Sequence, residues 1–293
     1  MLPEQLDQLE DYLKRSESRF ADIREDCEKI IVWHNDERRR RDLAIVYIHG
    51  FSASRMETWP LCDRLAAANG ANLFYTRLCG HGRDGYAMAE ATLQDWLNDG
   101  LEAIAVGRRL GRKIILMGTS TGGTLATWLA AQPSLAPLIG CLILISPNFF
   151  PKNPMAAAVL WPPALKAFEN FFGGWRCFIV QNKDQARYWT VRYPITAIAT
   201  MMRLVHLSWQ VKLRHAAMPV LMMINPWDRV INVSLAIARY LRFPSVQNQL
   251  VLFRENRDLG RHVLAGDILS PQSTDHALAV IRAFLQGLSP GDD

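Results

Sequence analysis

The chemistry-bearing centre of this chain is Gly118-Thr119-Ser120-Thr121-Gly122-Gly123. It follows an apolar run, Lys113 to Met117, and precedes a helical one, Thr124 to Ala131. G-x-S-x-G between strand and helix forms a turn too tight for flanking side chains, and it lifts the serine hydroxyl to the C-terminal end of the sheet. There the Thr121 N–H and the dipole of the next helix face any negative charge that develops. A serine hydroxyl is a poor nucleophile until a base takes its proton. Of the seven histidines, His262 alone lies in the loop after the last expected core strand, Gln249 to Phe253. His276 falls near the start of the terminal helix and reads as a helix-surface residue. The acid expected between serine and base is Asp228, at the end of the run Pro219 to Ile224, where its carboxylate could hold an imidazole. Asp258 and Asp267 flank His262 in its own loop and rank below Asp228.

A second oxyanion donor should come from the loop after an earlier strand. Leu43 to Ile48 is that strand and His49-Gly50-Phe51-Ser52 its loop. Gly50 lets the backbone approach closely, and the Phe51 N–H is the expected donor.

These groups need a frame. Short apolar runs at Leu43–Ile48, Asn72–Tyr75, Lys113–Met117, Gly140–Ile145, Pro219–Ile224 and Gln249–Phe253 read as strands covered on both faces. Helical patterns lie between them at 57–69, 93–109, 123–132, 234–241 and 274–288. The alternation predicts an α/β fold with a mostly parallel, doubly wound sheet. From Phe149 to about Arg214 the rhythm stops and aromatics such as Trp161, Phe168, Trp175, Tyr193 and Trp209 accumulate. The expected organisation is therefore a core of residues 43–148 and 216–293, a helical cap insertion at 149–215, and an N-terminal piece, 1–42. That piece should pack on the core as a helix over residues 3–29 followed by a short strand from Ile30 to Trp33.

Composition excludes several classes. The chain has 293 residues, 49% hydrophobic and 21% charged, with 18 Gly and 15 Pro, which rules out a collagen-like or low-complexity chain. Five scattered cysteines without a C-x-x-C pair argue against a disulfide scaffold or a structural zinc site. The net charge of +5 owes much to Arg38-Arg39-Arg40-Arg41, a run without interleaved aromatics that reads as a solvated hairpin loop, not a nucleic-acid patch. The uncharged stretch from Ile114 to Pro151, about 38 residues, is long enough for a membrane span, but its glycines and prolines make it strand, turn, helix, turn, strand. With no secretory signal visible, the expectation is a soluble, cytoplasmic protein with no integral membrane segment.

Five stretches taken together resemble the α/β-hydrolases, most closely the bacterial carboxylesterases and monoacylglycerol lipases with a small helical cap. They are YIHGF at 47–51, RLCGHG at 77–82, GTSTGG at 118–123, PWDRVI at 226–231 and GRHVLAGD at 260–267, and the likeness runs from about Leu43 to Leu288. It implies a Ser120–His262–Asp228 triad, an oxyanion hole of Phe51 and Thr121 N–H groups, and a cap that shapes the acyl pocket. The family usually has a small residue directly before the histidine; here it is Arg261. The resulting expectation is a serine hydrolase of short- to medium-chain carboxylic esters, monoacylglycerols included, acting on a small-molecule ester and needing no metal or organic cofactor. A thioesterase, amidase or carbon–carbon hydrolase on the same triad, or a silent ligand-binding protein of the same fold, are the competing readings. Gly80-His81-Gly82-Arg83-Asp84-Gly85 also matches the dinucleotide fingerprint, but a loop is expected where that fingerprint needs a helix, and no strand end follows to hold the ribose-binding acid.

Overall fold

The computed structural model describes residues 2–3 and 5–288. Positions 289–293, the end of the expected core segment, and positions 1 and 4 lie outside the described residues. In chain order the helices are α1 (Leu9–Glu17), α2 (Leu61–Ala68), α3 (Gly85–Glu90), α4 (Leu93–Leu110), α5 (Thr121–Ala130), α6 (Pro162–Phe172), α7 (Lys183–Tyr188), α8 (Thr196–Gln210), α9 (Val233–Tyr240) and α10 (Thr274–Gln286). The strands are β1 (Ile30–Val32), β2 (Arg41–Ile48), β3 (Asn72–Tyr75), β4 (Gly111–Thr119), β5 (Ile139–Ile145), β6 (Trp175–Cys177), β7 (Arg192–Pro194), β8 (Val220–Ile224) and β9 (Gln249–Leu252).

Seven strands form the main sheet in the order β1-β3-β2-β4-β5-β8-β9. All neighbours run parallel except β1, which pairs antiparallel with β3. Alternation along the central strands divides the core in two, as the two-residue period of a strand requires. Ala44, Val46 and Ile48 turn to one face, packed with residues of α4, α5, α8 and α9. Ile45 and Tyr47 turn to the other, against α2 and α10. Both faces are covered, so β5, β8, residues 43–48 of β2 and residues 114–118 of β4 are apolar. The expected mostly parallel, doubly wound sheet is the one observed.

Local chemistry sets the helix ends. Thr92 caps α4 with a reciprocal pair: its hydroxyl accepts the Asp95 N–H, and the Asp95 carboxylate accepts the Thr92 N–H. Along α4, Gly107 faces β2 so closely that an added Cβ would lie 2.5 Å from Val46 Cγ2. The helix can approach the sheet only because nothing projects there.

Two expectations change. The N-terminal helix ends at Glu17, and residues 18–29 run as turns instead of continuing it. Glu17 is held from outside its helix: its carboxylate oxygens accept from Arg77 at 2.8 and 2.7 Å and from the Lys29 N–H at 3.0 Å. The chain must double back past Glu17 for residue 29 to reach it. The arginine run does not close a hairpin either, because β3 lies between β1 and β2 in the sheet. Arg38 pairs with Glu10, Arg39 and Arg41 pair with Glu37, and Arg40 donates to the Gly111 carbonyl.

Between β5 and β8, α6 to α8 and the two-stranded β6–β7 ribbon sit outside the main sheet. Helix α8 lies against α5 and α3 and buries Ala197, Met201, Met202, Leu204 and Val205. Among the described residues, no helix is long and apolar enough to cross a membrane.

Candidate active site

Strand β2 leads by way of α2 to β3 on one side of it, and the chain then returns to β4 on its other side. The connections therefore diverge at the C-terminal ends of β2 and β4, the kind of switch point at which open α/β sheets bind ligands. Both expected oxyanion loops begin at this place.

Ser120 occupies the turn from β4 into α5 with φ 52° and ψ −116°, a left-handed backbone that a residue with a Cβ adopts only under constraint. The constraint is visible. Ser120 N–H donates to Ile145 O at 2.9 Å, and its carbonyl accepts from Thr124 N at 3.1 Å and Asn148 N at 3.0 Å. The flanking glycines are obligatory: a Cβ on Gly118 would lie 2.5 Å from Gly122 O, and one on Gly122 would lie 2.0 Å from Ile48 O. Thr121 opens α5, so its N–H has no carbonyl a turn earlier in the helix to bond.

His262 and Asp228 meet from separate loops, with Nδ1 and Oδ2 2.7 Å apart. An ionised carboxylate only accepts, so Nδ1 carries the proton and the Nε2 lone pair is left open. Asp228 is fixed in turn: its Oδ1 accepts the N–H groups of Val230 at 2.7 Å and Ile231 at 3.0 Å. Burial on its own would lower the His262 pKa. The Asp228 charge and hydrogen bond, then the charges of Asp258 and Glu57, outweigh it and carry the value above the ordinary imidazole value.

Asp258 does not touch the imidazole ring. Both its carboxylate oxygens accept the backbone N–H of His262, at 3.0 and 3.1 Å, and Oδ1 also accepts from Asn256 Nδ2 at 2.7 Å. It shapes the loop that presents the histidine. Arg261 has φ 50°, which accounts for the small residue that α/β-hydrolases usually carry before the histidine. Its N–H donates to Asp258 O at 2.9 Å, and its guanidinium stacks over Trp227, 5.5 Å from the ring centroid.

The Gly50 carbonyl accepts from Ala53 N–H at 3.2 Å and faces His49 Nδ1 at 2.9 Å. His49 Nε2 accepts the Leu78 N–H at 3.1 Å, so Nδ1 bears the proton and donates. Burial, with a further push from Arg77, holds the His49 pKa down to about 4, and the ring stays neutral. In a planar trans peptide the carbonyl and the following N–H point opposite ways. Two donors hold the Gly50 oxygen to one side, so the Phe51 N–H faces the other, with no acceptor among the described residues. The Phe51 ring is fixed edge-on to Tyr193, His81 and Trp96, with centroids at 5.2, 5.9 and 6.2 Å.

The GHG stretch at 80–82 is a loop between β3 and α3. Its His81 is fully buried against His49, with ring centroids 4.9 Å apart, and Asp84 caps α3. His276 is a surface residue beside Glu255, and His206, on α8, is exposed beside Gln210. One neighbour had no signal in the sequence. Glu57 is buried beside Gly50 and Ser120; the sequence reads it as the start of a helix over 57–69, but that helix begins only at Leu61 and Glu57 ends a short turn before it. A cavity of about 660 Å³, lined by Leu43, Lys113, Ile139 and Met218, lies at the opposite edge of the sheet and contains none of these groups.

Helices on both faces of such a sheet, with a strand–turn–helix elbow at its switch point, mark the α/β hydrolase architecture. The Alpha/beta hydrolase family model matches residues 45–284, and the chain belongs to that family. A thermostable monoacylglycerol lipase from Bacillus sp. (strain H-257) is 23% identical over 239 residues, 80% of this chain and 89% of that protein. Similar solved structures include one from work on LipS and LipT, two metagenome-derived lipolytic enzymes. It has a TM-score of 0.74 and 20% identity, covering 90% of this chain and 99% of that one. A soluble variant of monoglyceride lipase from Saccharomyces cerevisiae, in complex with a substrate analogue, has a TM-score of 0.65 and 14% identity, covering 90% and 92%. At such identities the structural likeness speaks to the fold.

Proposed function

We propose that this protein is a serine hydrolase that cleaves carboxylic esters of short- to medium-chain acyl groups, monoacylglycerols among them, through an acyl-enzyme. The observation that carries the reading is the 2.7 Å Asp228–His262 pair, which leaves Nε2 unprotonated, and the strained turn that holds Ser120 at the end of β4 supports it. His262 takes the Ser120 proton as Oγ attacks the carbonyl carbon, and Asp228 stabilises the imidazolium that results. The Phe51 and Thr121 N–H groups, both without a backbone acceptor among the described residues, receive the oxyanion. The imidazolium then protonates the leaving alcohol, and water cleaves the acyl-enzyme by the same route.

Residues 149–215 act as the cap and 43–148 with 216–293 as the hydrolase core, with 1–42 packed on that core. The buried face of α8 against α5, next to the elbow, supports a cap that closes one side of the site. The monoacylglycerol lipase relative favours a lipid-like ester. Five unpaired cysteines fit a reducing, cytoplasmic compartment.

The test combines a fluorophosphonate probe with a nitrophenyl ester series from acetate to palmitate, on wild type and Ser120→Ala. Labelling of wild type alone, with turnover greatest at short and medium chains, is the expected result. An unlabelled wild type would mean a silent binder. Faster turnover of a matched thioester or anilide would move the protein to one of the competing reactions.

A further inference from the structure

A third carboxylate lies where the two catalytic loops converge. Glu57 closes the short turn Arg55–Glu57 and is 3% exposed. Its Oε2 accepts the Gly50 N–H at 2.8 Å and lies 3.0 Å from Tyr47 Oη. Tyr47 Oη is also 2.9 Å from the hydroxyl of Thr119, the residue before Ser120. A phenol has one proton; given to the carboxylate, it leaves the phenol oxygen to accept from Thr119. A Cβ built on Gly50 would lie 2.7 Å from Glu57 Oε1 and 3.3 Å from Ser120 Cβ, so the carboxylate, the oxyanion loop and the serine meet with no space to spare. The His262 loop closes on the same turn: a Cβ on Gly266 would lie 2.5 Å from Glu57 O, and Asp267 N–H donates to Trp59 O at 2.8 Å.

Glu57 forms no ion pair among the described residues. Burial dominates and carries its pKa above the ordinary carboxylate value, although the Gly50 N–H, the Tyr47 hydroxyl and the charge of His262 favour the anion. An amide at this position would accept the same N–H without the penalty of burying a charge. What the charge adds is attraction to an imidazolium.

We propose that Glu57 is a positioning residue of the ester-cleaving site, an inference that rests on the serine hydrolase reading above. Through the Gly50 N–H it fixes the His49–Gly50 peptide while His49 Nδ1 holds the oxygen of the next one, Gly50–Phe51, so Gly50 is gripped on both sides of its Cα and the Phe51 N–H stays turned to the oxyanion. Through space it joins Asp228 in stabilising the His262 imidazolium that forms when Ser120 attacks. The charged and titratable groups around His262 are Asp228, Asp258, Glu57 and the neighbouring Arg261; those around Glu57 are Tyr47, Cys62 and His262.

Two variants separate the roles. Glu57→Gln keeps the acceptor and the shape and removes the charge; Glu57→Ala removes both. The His262 titration is followed by NMR on ring-labelled histidine, assigned with His262→Asn, beside the pH profile of kcat/KM on nitrophenyl butyrate. Glu57→Gln should lower the His262 midpoint by roughly half a pH unit or more and move the acid limb with it. Glu57→Ala should lose about 10²-fold in kcat with KM little changed, the signature of a displaced oxyanion donor. A titration and acid limb in Glu57→Gln that superimpose on wild type would overturn the charge role, and an unchanged kcat in Glu57→Ala would overturn the clamp. If Glu57→Ala does not fold, a kcat in Glu57→Gln within tenfold of wild type still supports the clamp, and a 10²-fold loss there overturns it. If wild type cleaves no ester, the serine hydrolase reading fails, yet the titration still decides the charge.

Discussion

In the proposed mechanism His262 has to be neutral to accept the Ser120 proton and cationic an instant later, so its pKa sets the working window. Burial lowers that pKa and the carboxylates around it raise it further. Activity should therefore fall as the pH drops through the raised value, giving kcat/KM an acid limb above the ordinary imidazole range. Asp228→Asn should move that limb down and lower kcat by roughly 10⁴, since the tautomer is no longer enforced. Linkage gives the matching stability effect. A pKa raised on folding stabilises the native state fully below the unfolded value of about 6.5, and that gain is lost as pH rises through the folded value. Unfolding free energies of wild type and His262→Asn, measured across this range, should converge as the pH increases.

At the scale of elements, the elbow and the N-terminal helix make the sharpest claims. Gly122→Ala sets a methyl against the backbone of β2, 2.0 Å from Ile48 O, where no side-chain rearrangement can relieve it. The expected result is a loss of several kcal/mol of stability, or no folded protein, read by urea unfolding. Helix α1 is tied to the loop after β3 by the buried Glu17–Arg77 pair, 2.7 Å between Oε1 and NH2. Glu17→Ala leaves Arg77 buried without its counter-charge and should cost about 3–5 kcal/mol. Burial raises the Glu17 pKa, but Arg77 and Lys29 lower it more, and the net shift is downward. Its stabilisation is therefore present above the unfolded carboxylate value and lost as pH falls through the folded one. Acid unfolding of wild type, compared with Glu17→Ala, should show the difference between the two narrowing in that range.

Across the whole molecule, burial is uneven. Most described side chains from 152 to 184 are exposed or half-exposed, whereas the central strands of the main sheet are largely buried. Limited proteolysis should cut first in that segment and leave the sheet intact, checked by mass spectrometry of the early fragments. The same contrast explains what could be read from the chain alone. Residues 43–48 and 114–117 announce covered strands because every position carries an apolar side chain, and the Ser120 turn carries its glycines in a fixed local pattern. Asp228 and His262 follow from their places after β8 and β9. Glu57 follows from nothing local: in sequence it opens a helical pattern, and its burial depends on Tyr47, Gly50 and Gly266 converging on it. Asp258 was legible as a nearby acid, but its grip on a backbone N–H is a property of loop shape. The early end of α1 depends on Arg77, sixty residues further along the chain.

The outermost strands of the sheet, β1 and β9, are three and four residues long. A margin that short offers a neighbouring molecule little unsatisfied backbone to zip onto, which is how sheet proteins avoid stacking into fibrils. Concentrated solutions should accordingly scatter light no more strongly on standing than when freshly made.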